Sequence, residues 1–360
     1  MTKAINADHP RIRAAWQGRI SGCILGKPLE VLSFREGRDG LIRYLDGAGA
    51  LPLCGYVPAV EGSLVERRAK NCCAGHIERA ESDDDINYTL LALLLLEQHG
   101  STLATEDVAR AWLNYLPGGT TWTAERAAYR TLLNRMDDEF VNGAAPGFDL
   151  AECSDNGYNA WIGAQIRADL YGWVCPGQPE MAAELATRDA VLSHRDEGVY
   201  GAAFIAALGA AIPAATDIDS ALDIALQCIP ATSAAADAVV FASKLGNTGD
   251  AVDQLHRKFD GLSPVHALNN LAVVVWALHT FRHDFSAAIC NAVMAGWDTD
   301  CNGATVGGLM GLAGATIDER WTRPWRGRIG SNLAGVGETT IDDVVARTLV
   351  VAERLMPALN

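Results

Sequence analysis

Two clusters of carboxylates carry the chemistry this sequence could perform. Glu81-Ser82-Asp83-Asp84-Asp85 stands immediately before a long apolar stretch, and Trp297-Asp298-Thr299-Asp300-Cys301-Asn302 stands before a run rich in small residues. Adjacent like charges repel. A helix N-terminus relieves one or two of them, at ~0.3–1 kcal/mol each, whereas a divalent cation accommodates three far better. The Asp-x-Asp step lets two carboxylates share a hard cation, with the Thr299 hydroxyl and nearby carbonyls as further oxygen ligands. Taken singly, each cluster also reads as an ordinary solvated helix cap. If the two helix starts are neighbours, four carboxylates converge, and such a set needs metal because unpaired buried charges are costly. Two cations would suit activating a water, or clamping a diol or a phosphate.

A third segment is Gly18-Arg19-Ile20-Ser21-Gly22-Cys23-Ile24-Leu25-Gly26-Lys27-Pro28-Leu29-Glu30. Glycines four apart predict a tightly packed helix ending near Gly26, with Glu30 on the loop beyond. It is not a phosphate-binding P-loop, because Gly-Lys-Ser/Thr is missing. Ser193-His194-Arg195-Asp196, the amides Asn269 and Asn270, and Trp122, Trp161, Trp173 and Trp297 are weaker candidates. A lone histidine is more often structural, buried amides want partners, and tryptophans pack cores more often than they stack bases.

The elements that must position these groups are helices. Apolar residues recur at i, i+3, i+4 and i+7, predicting helices over 86–99, 105–115, 125–135, 161–171, 179–193, 199–212, 218–228, 233–245, 264–281, 284–295, 305–314 and 341–356. Asp217 and Ser263-Pro264 read as helix starts. Residues 31–57 hold short strand candidates between glycines, none convincing. Gly303, Gly307, Gly311 and Gly314 recur on or near one face. Each costs a helix up to ~1 kcal/mol, so they imply close approach of another helix, the one after Asp84 being a candidate. The fold class predicted is all-α, a compact orthogonal bundle of about a dozen or more helices around a central metal cleft. No linker, low-complexity segment or fixed-period repeat interrupts it, which favours one domain over 1–360.

The chain has 360 residues, 49% of them hydrophobic, and a formal net charge of −15. This acidity repels phosphate backbones and anionic membranes, so nucleic-acid and membrane partners are not expected. Nine scattered cysteines form no CxxC pair, which argues against zinc or a disulfide framework. With no apolar leader core and no span of ~20 apolar residues, a reduced cytoplasm is the expected compartment. Oligomeric state is not legible.

Gly22–Glu30, Ser82-Asp83-Asp84, Gly163-Ala164-Gln165-Ile166-Arg167, Ser193-His194 and Gly296–Thr305 together resemble the ADP-ribosylglycohydrolase family, with its motifs in order from about residue 11 to 350. The resemblance implies an all-α hydrolase with two magnesium ions, manganese being an alternative. It implies Ser82, Asp83, Asp84, Asp298, Asp300 and Cys301 as the metal set, and Glu30, Asp84 or Asp300 as the catalytic carboxylate, with Glu30 favoured as base. Gly163 and Ala164 fall on a backbone loop that meets substrate, with Arg167 behind it. His194 falls on a pocket histidine, and Tyr200 on a pocket helix.

The chain departs from the pattern at Cys23, at Asp85, which stands for the usual Thr, and at Cys301, which stands for the usual Thr or Ser. A thiol is a poor magnesium ligand. The implied reaction is hydrolysis of the bond at the anomeric carbon of a ribose, through an oxocarbenium-like transition state. The substrate the resemblance implies is an ADP-ribosylated protein or a ribosylated small molecule. A smaller nucleoside-like N-riboside, a catalytically silent binding module and a metal-dependent phosphohydrolase remain alternatives.

Overall fold

The computed structural model describes residues 8–135 and 138–356. Residues 1–7, where the N-terminal stretch read for a leader begins, lie outside them. In chain order the helices are α1 (His9–Gly47), α2 (Leu64–Ala69), α3 (Asp84–His99), α4 (Thr105–Tyr115), α5 (Thr123–Arg135), α6 (Asp138–Val141), α7 (Asp169–Trp173), α8 (Pro179–Ala190), α9 (Asp196–Ala211), α10 (Ile218–Leu226), α11 (Ala234–Ala242), α12 (Ala251–Lys258), α13 (Ala267–Thr280), α14 (Phe285–Met294), α15 (Thr299–Leu312), α16 (Glu319–Thr322) and α17 (Ile341–Leu355). Among the described residues the only strands are β1 (Arg328–Ile329) and β2 (Thr339–Thr340), paired antiparallel with Arg328 opposite Thr340. The molecule is all-α, as the periodicity predicts. No described helix is long and apolar enough to cross a membrane.

The centre is α15, buried along its whole length. Its partner is α1, which corrects the expectation that the helix after Asp84 would fill this place. The two run antiparallel with backbones in contact. A Cβ added at Gly18 would stand 2.0 Å from the Gly307 carbonyl oxygen, one at Gly22 1.9 Å from that of Gly303, and one at Gly26 2.2 Å from that of Thr299. Only glycine permits this approach, which explains Gly303, Gly307 and Gly311, whereas Gly314 lies past the end of α15 with φ +86° and an added Cβ there would meet no atom within 4 Å. Helices α13 and α14 flank α15, α9 packs on α7, α8 and α13, and α17 covers α1.

Local predictions fail where tertiary hydrogen bonds compete. The first helix does not stop at Gly26. It runs through Pro28 to Gly47, bent at Gly37, whose φ is +66°. Pro28 removes the donor that would have reached the Ile24 carbonyl, yet the helix continues, and Thr299 Oγ1 donates to the Gly26 carbonyl at 2.9 Å and ties this stretch to α15. Glu30 is therefore on a helix, and the strand candidates up to Gly47 are helical too. The predicted helix over 161–171 is instead a 3₁₀ turn, Ile162–Arg167, followed by α7. Ser263-Pro264 is not a cap; α13 begins at Ala267, after His266. Both have one cause. Segments 160–162 and 265–267 bond across, Ile162 N–H to the Val265 carbonyl at 2.9 Å and Ala267 N–H to the Ala160 carbonyl at 3.0 Å. Asp217 does cap α10, accepting from Ser220 N–H at 2.8 Å.

Candidate active site

The starts of α3 and α15 lie side by side, facing the middle of α1. Asp83 caps α3, its Oδ1 accepting from Asp85 N–H at 3.1 Å. Asp298 precedes α15 after a sharp reversal in which Gly296 and Trp297 both take positive φ (85° and 58°). The strained Trp297 is held by stacking on His256, ring centroids 4.1 Å apart. Asn270 fixes the same turn. Its side-chain oxygen accepts from Asp298 N–H at 3.2 Å and Asn302 Nδ2 at 2.8 Å, while its amide donates to the Pro264 and His266 carbonyls. The buried amide thus has its partners, and they orient the Asp-x-Asp step.

Carboxylates from three chain segments meet here. Ligand atoms of Glu30, Asp298 and Asp300 lie within 4.8 Å of one another, as do those of Asp85, Asp300 and Cys301, and those of Cys23, Asp83 and Asp85. Asp84 faces the adjoining cleft with Glu30, Asp298 and Cys301. The fit to a metal can be tested on unmet valence. Asp85 Oδ2, Asp298 Oδ1 and Asp300 Oδ1 are buried and have no hydrogen-bond partner. Each such orphan costs ~1–3 kcal/mol or more, and an oxygen-seeking cation would satisfy them. The acidic set can therefore hold a metal ion.

Sequence reasoning missed the group at the middle of this set. Lys27 Nζ lies 2.9 Å from Glu30 Oε2, 2.8 Å from Asp83 Oδ2 and 2.9 Å from Asp300 Oδ2. Burial disfavours its charge, but Asp300, Asp83 and Glu30 outweigh that and hold its pKa well above the usual lysine value. Asp83 stays below the ordinary carboxylate range because Lys27 overcomes its burial. Burial, then neighbouring carboxylates, pushes Asp84 and Asp298 well up, and burial does the same to Asp85 against the opposing charge of Arg19. Burial and Asp300 raise Glu30 to about 7. Burial and Asp298 raise the Cys301 thiol, so it keeps its proton.

Arg19, also missed, underlies the floor. Fully buried, it pairs with Asp85 Oδ1 at 3.1 Å and Asp169 Oδ2 at 2.8 Å, and donates to Thr89 and to the Asp85 and Ile166 carbonyls. Asp85, the extra acid of its cluster, is thus turned toward an internal cation. An arginine inside a glycine-rich apolar helix was the available signal.

The cleft above has a volume of about 670 Å³. Glu30, Asp84 and Asp298, with Lys27 and Cys301 among them, form its polar side. Phe34, Tyr88, Trp122, Trp161, Ile162, Gly163 and Pro264 are among its other lining residues. Trp122 is 59% exposed at the rim; Trp173 is buried against Trp16. Gly163 touches the cleft through its backbone, and a Cβ there would strike Glu125 Oε1 at 1.9 Å. Arg167 organises this wall, pairing with Glu125 at 2.8 Å and with Asp189, and donating to the Gly163 carbonyl and Ser193 Oγ. Glu125 and Asp189 left no local signature. Ala164 and His194 are buried and, like the half-buried Tyr200, are not among the cleft-lining residues. His194 Nδ1 meets Ser193 Oγ at 2.8 Å behind the wall. Ser82 lines a neighbouring cavity of about 310 Å³ with Asp83, Arg67, Arg68 and Lys70.

The model of the ADP-ribosylglycohydrolase family matches residues 5–355. The chain belongs to the ADP-ribosylglycohydrolase family. Membership makes it a hydrolase of the glycosidase type. A solved structure described as an ADP-ribosylglycohydrolase-related protein complex is similar over 97% of this chain and 99% of that one, with a TM-score of 0.56 and 20% identity. At that identity the likeness concerns the fold. A search of curated proteins gives no match.

Proposed function

We propose that this family member is a magnesium-dependent glycohydrolase that cleaves ADP-ribosyl linkages at the anomeric carbon of the ribose. The observation that carries this reading is the convergence of Glu30, Asp83, Asp84, Asp298 and Asp300 from three chain segments beside a cleft, with buried oxygens of Asp298 and Asp300 left unpartnered.

Asp298 and Asp300 would hold the magnesium ion, which would supply electrophilic stabilisation to bound hydroxyls and water. The remaining work falls to the chain's own groups. Glu30, on a rigid helix and half-buried at the cleft, accepts the proton of the attacking water. A pKa near neutrality suits that task. Asp84 faces the ribose end, and the negative floor favours the positive charge that develops on the sugar. The Gly163 backbone, fixed by Arg167, offers polar groups to the ribose without a side chain in the way. Trp122 and Trp161 offer ring faces for a base. Arg68, which lines both cavities, supplies positive charge for a diphosphate that the chain's net charge does not. That last point favours ADP-ribosyl substrates over a bare N-riboside.

The test is product analysis with magnesium on ADP-ribosylated peptides, ADP-ribose esters and nucleosides. Release of ADP-ribose, abolished by EDTA and by Asp300→Asn, is the expected result. Equal turnover by metal-free protein overturns the metal assignment, and turnover of nucleosides alone overturns the substrate class.

A further inference from the structure

We infer that Lys27 is a built-in cation that takes the place of one of the two metal ions, so that this site binds a single divalent ion. The inference rests on the metal reading above and sharpens its stoichiometry.

The geometry is specific. An ammonium has three N–H donors and no more. Lys27 Nζ donates to Asp300 Oδ2 at 2.9 Å and forms ion pairs with Glu30 Oε2 at 2.9 Å and Asp83 Oδ2 at 2.8 Å, so a carboxylate from each segment surrounds it. Those oxygens come from α1, from the cap of α3 and from the first turn of α15. A second ion between the α3 and α15 clusters would need the same oxygens at ~2.0–2.1 Å for magnesium, and the ammonium stands among them. Paired ions in two-metal sites sit roughly 3.5–4 Å apart, which leaves no room for Nζ as well.

What Lys27 leaves free is one-sided. Asp298 Oδ1 and Asp300 Oδ1 are buried without partners, and Glu30 lies within reach of both residues. The third orphan, Asp85 Oδ2, belongs to a carboxylate whose other oxygen is committed to Arg19. Cys301 offers sulfur where a hard ion wants oxygen. One ion site remains, bounded by Glu30, Asp298 and Asp300, beside a permanent positive charge. A lysine at this point makes the second charge independent of metal supply.

The full-length protein, stripped of metal, is titrated with manganese by calorimetry and by electron paramagnetic resonance. The expected result is one ion per chain, with the spectrum of an isolated Mn²⁺. Lys27→Gln, and Lys27→Ala as a second variant, are expected to bind two ions and to show the broadened signal of a coupled pair. Their helical circular dichroism should be unchanged, since the Lys27 side chain is 31% exposed. Two ions in the wild type overturn the inference alone, as does a count of one in both lysine variants. No ion in the wild type overturns the metal reading itself.

Discussion

Replacing Gly22 by alanine probes the contact on which the site is built. The new methyl carbon would stand 1.9 Å from the Gly303 carbonyl oxygen and 2.3 Å from its carbon. Non-bonded carbon needs ~3.5 Å, so α1 and α15 must part locally by about 1.5 Å. The obstacle is backbone, which cannot rotate away as a side chain can. Overpacking typically costs ~1–3 kcal/mol. This site belongs at the upper end, because Gly18 and Gly26 bind the same pair of helices above and below it. Alanine returns up to ~1 kcal/mol of helix propensity, leaving a net loss of about 2 kcal/mol. With a urea m-value of roughly 3 kcal/mol/M for a chain above the small-protein range, the unfolding midpoint falls by about 0.7 M. Gly47→Ala is the control, since no atom lies within 4 Å of its added methyl. Gly22→Ala also displaces Asp298 and Asp300 from Glu30, so manganese affinity should fall together with stability. If Gly22→Ala unfolds at the urea concentration of Gly47→Ala, the backbone contact does not exist as described.

Three further outcomes are expected. Arg19→Met strands Asp85 and Asp169 without their counter-ion and should cost about 3–5 kcal/mol in urea unfolding; a loss under ~1 kcal/mol would show the pair to be solvated. His194 is held well below the usual histidine pKa by burial and then by Arg167. A depressed base contributes stability that is complete above its unfolded pKa of ~6.5 and is lost as pH falls toward the folded value, at up to ~1.4 kcal/mol per unit. The difference in stability between wild type and His194→Asn should therefore shrink from pH 7.5 to pH 5.5, and a constant difference would refute the burial argument. Trp122→Ala should leave stability unchanged but raise KM for an ADP-ribosyl substrate about tenfold at constant kcat, as loss of one base-stacking partner predicts. An unchanged KM would remove Trp122 from the binding surface.

The fold class was legible because apolar periodicity is a local property and helices express it locally. Helix α10 begins where its cap, Asp217, says. The two acidic motifs were legible for the same reason, each being continuous in sequence and each opening a helix. What was hidden depends on distant partners. Pro28 reads as a stop, yet α1 runs through it, packed along α15 where Gly26 meets the Thr299 carbonyl. Lys27 reads as a surface lysine after a helix until Asp83 and Asp300 arrive from 56 and 273 positions away. Glu125 and Asp189 are unremarkable acids in amphipathic helices, and only the fold brings them to Arg167. Short α12 escaped because two buried positions, Ala251 and Leu255, are too few to make a period.

The Arg167 cluster has a mechanical consequence. One guanidinium grips the Glu125 carboxylate near the start of α5 and the Gly163 carbonyl, while segment 160–162 is bonded in turn to 265–267. Three stretches of cleft wall are thereby clamped to one another, separately from the glycine seam that sets the carboxylates. Chain can be lengthened outside these clamps, at 117–121 or 155–158, and reshape the mouth without shifting an acidic oxygen. Such an architecture lets the leaving group recognised at the rim change while the bond broken at the floor stays the same.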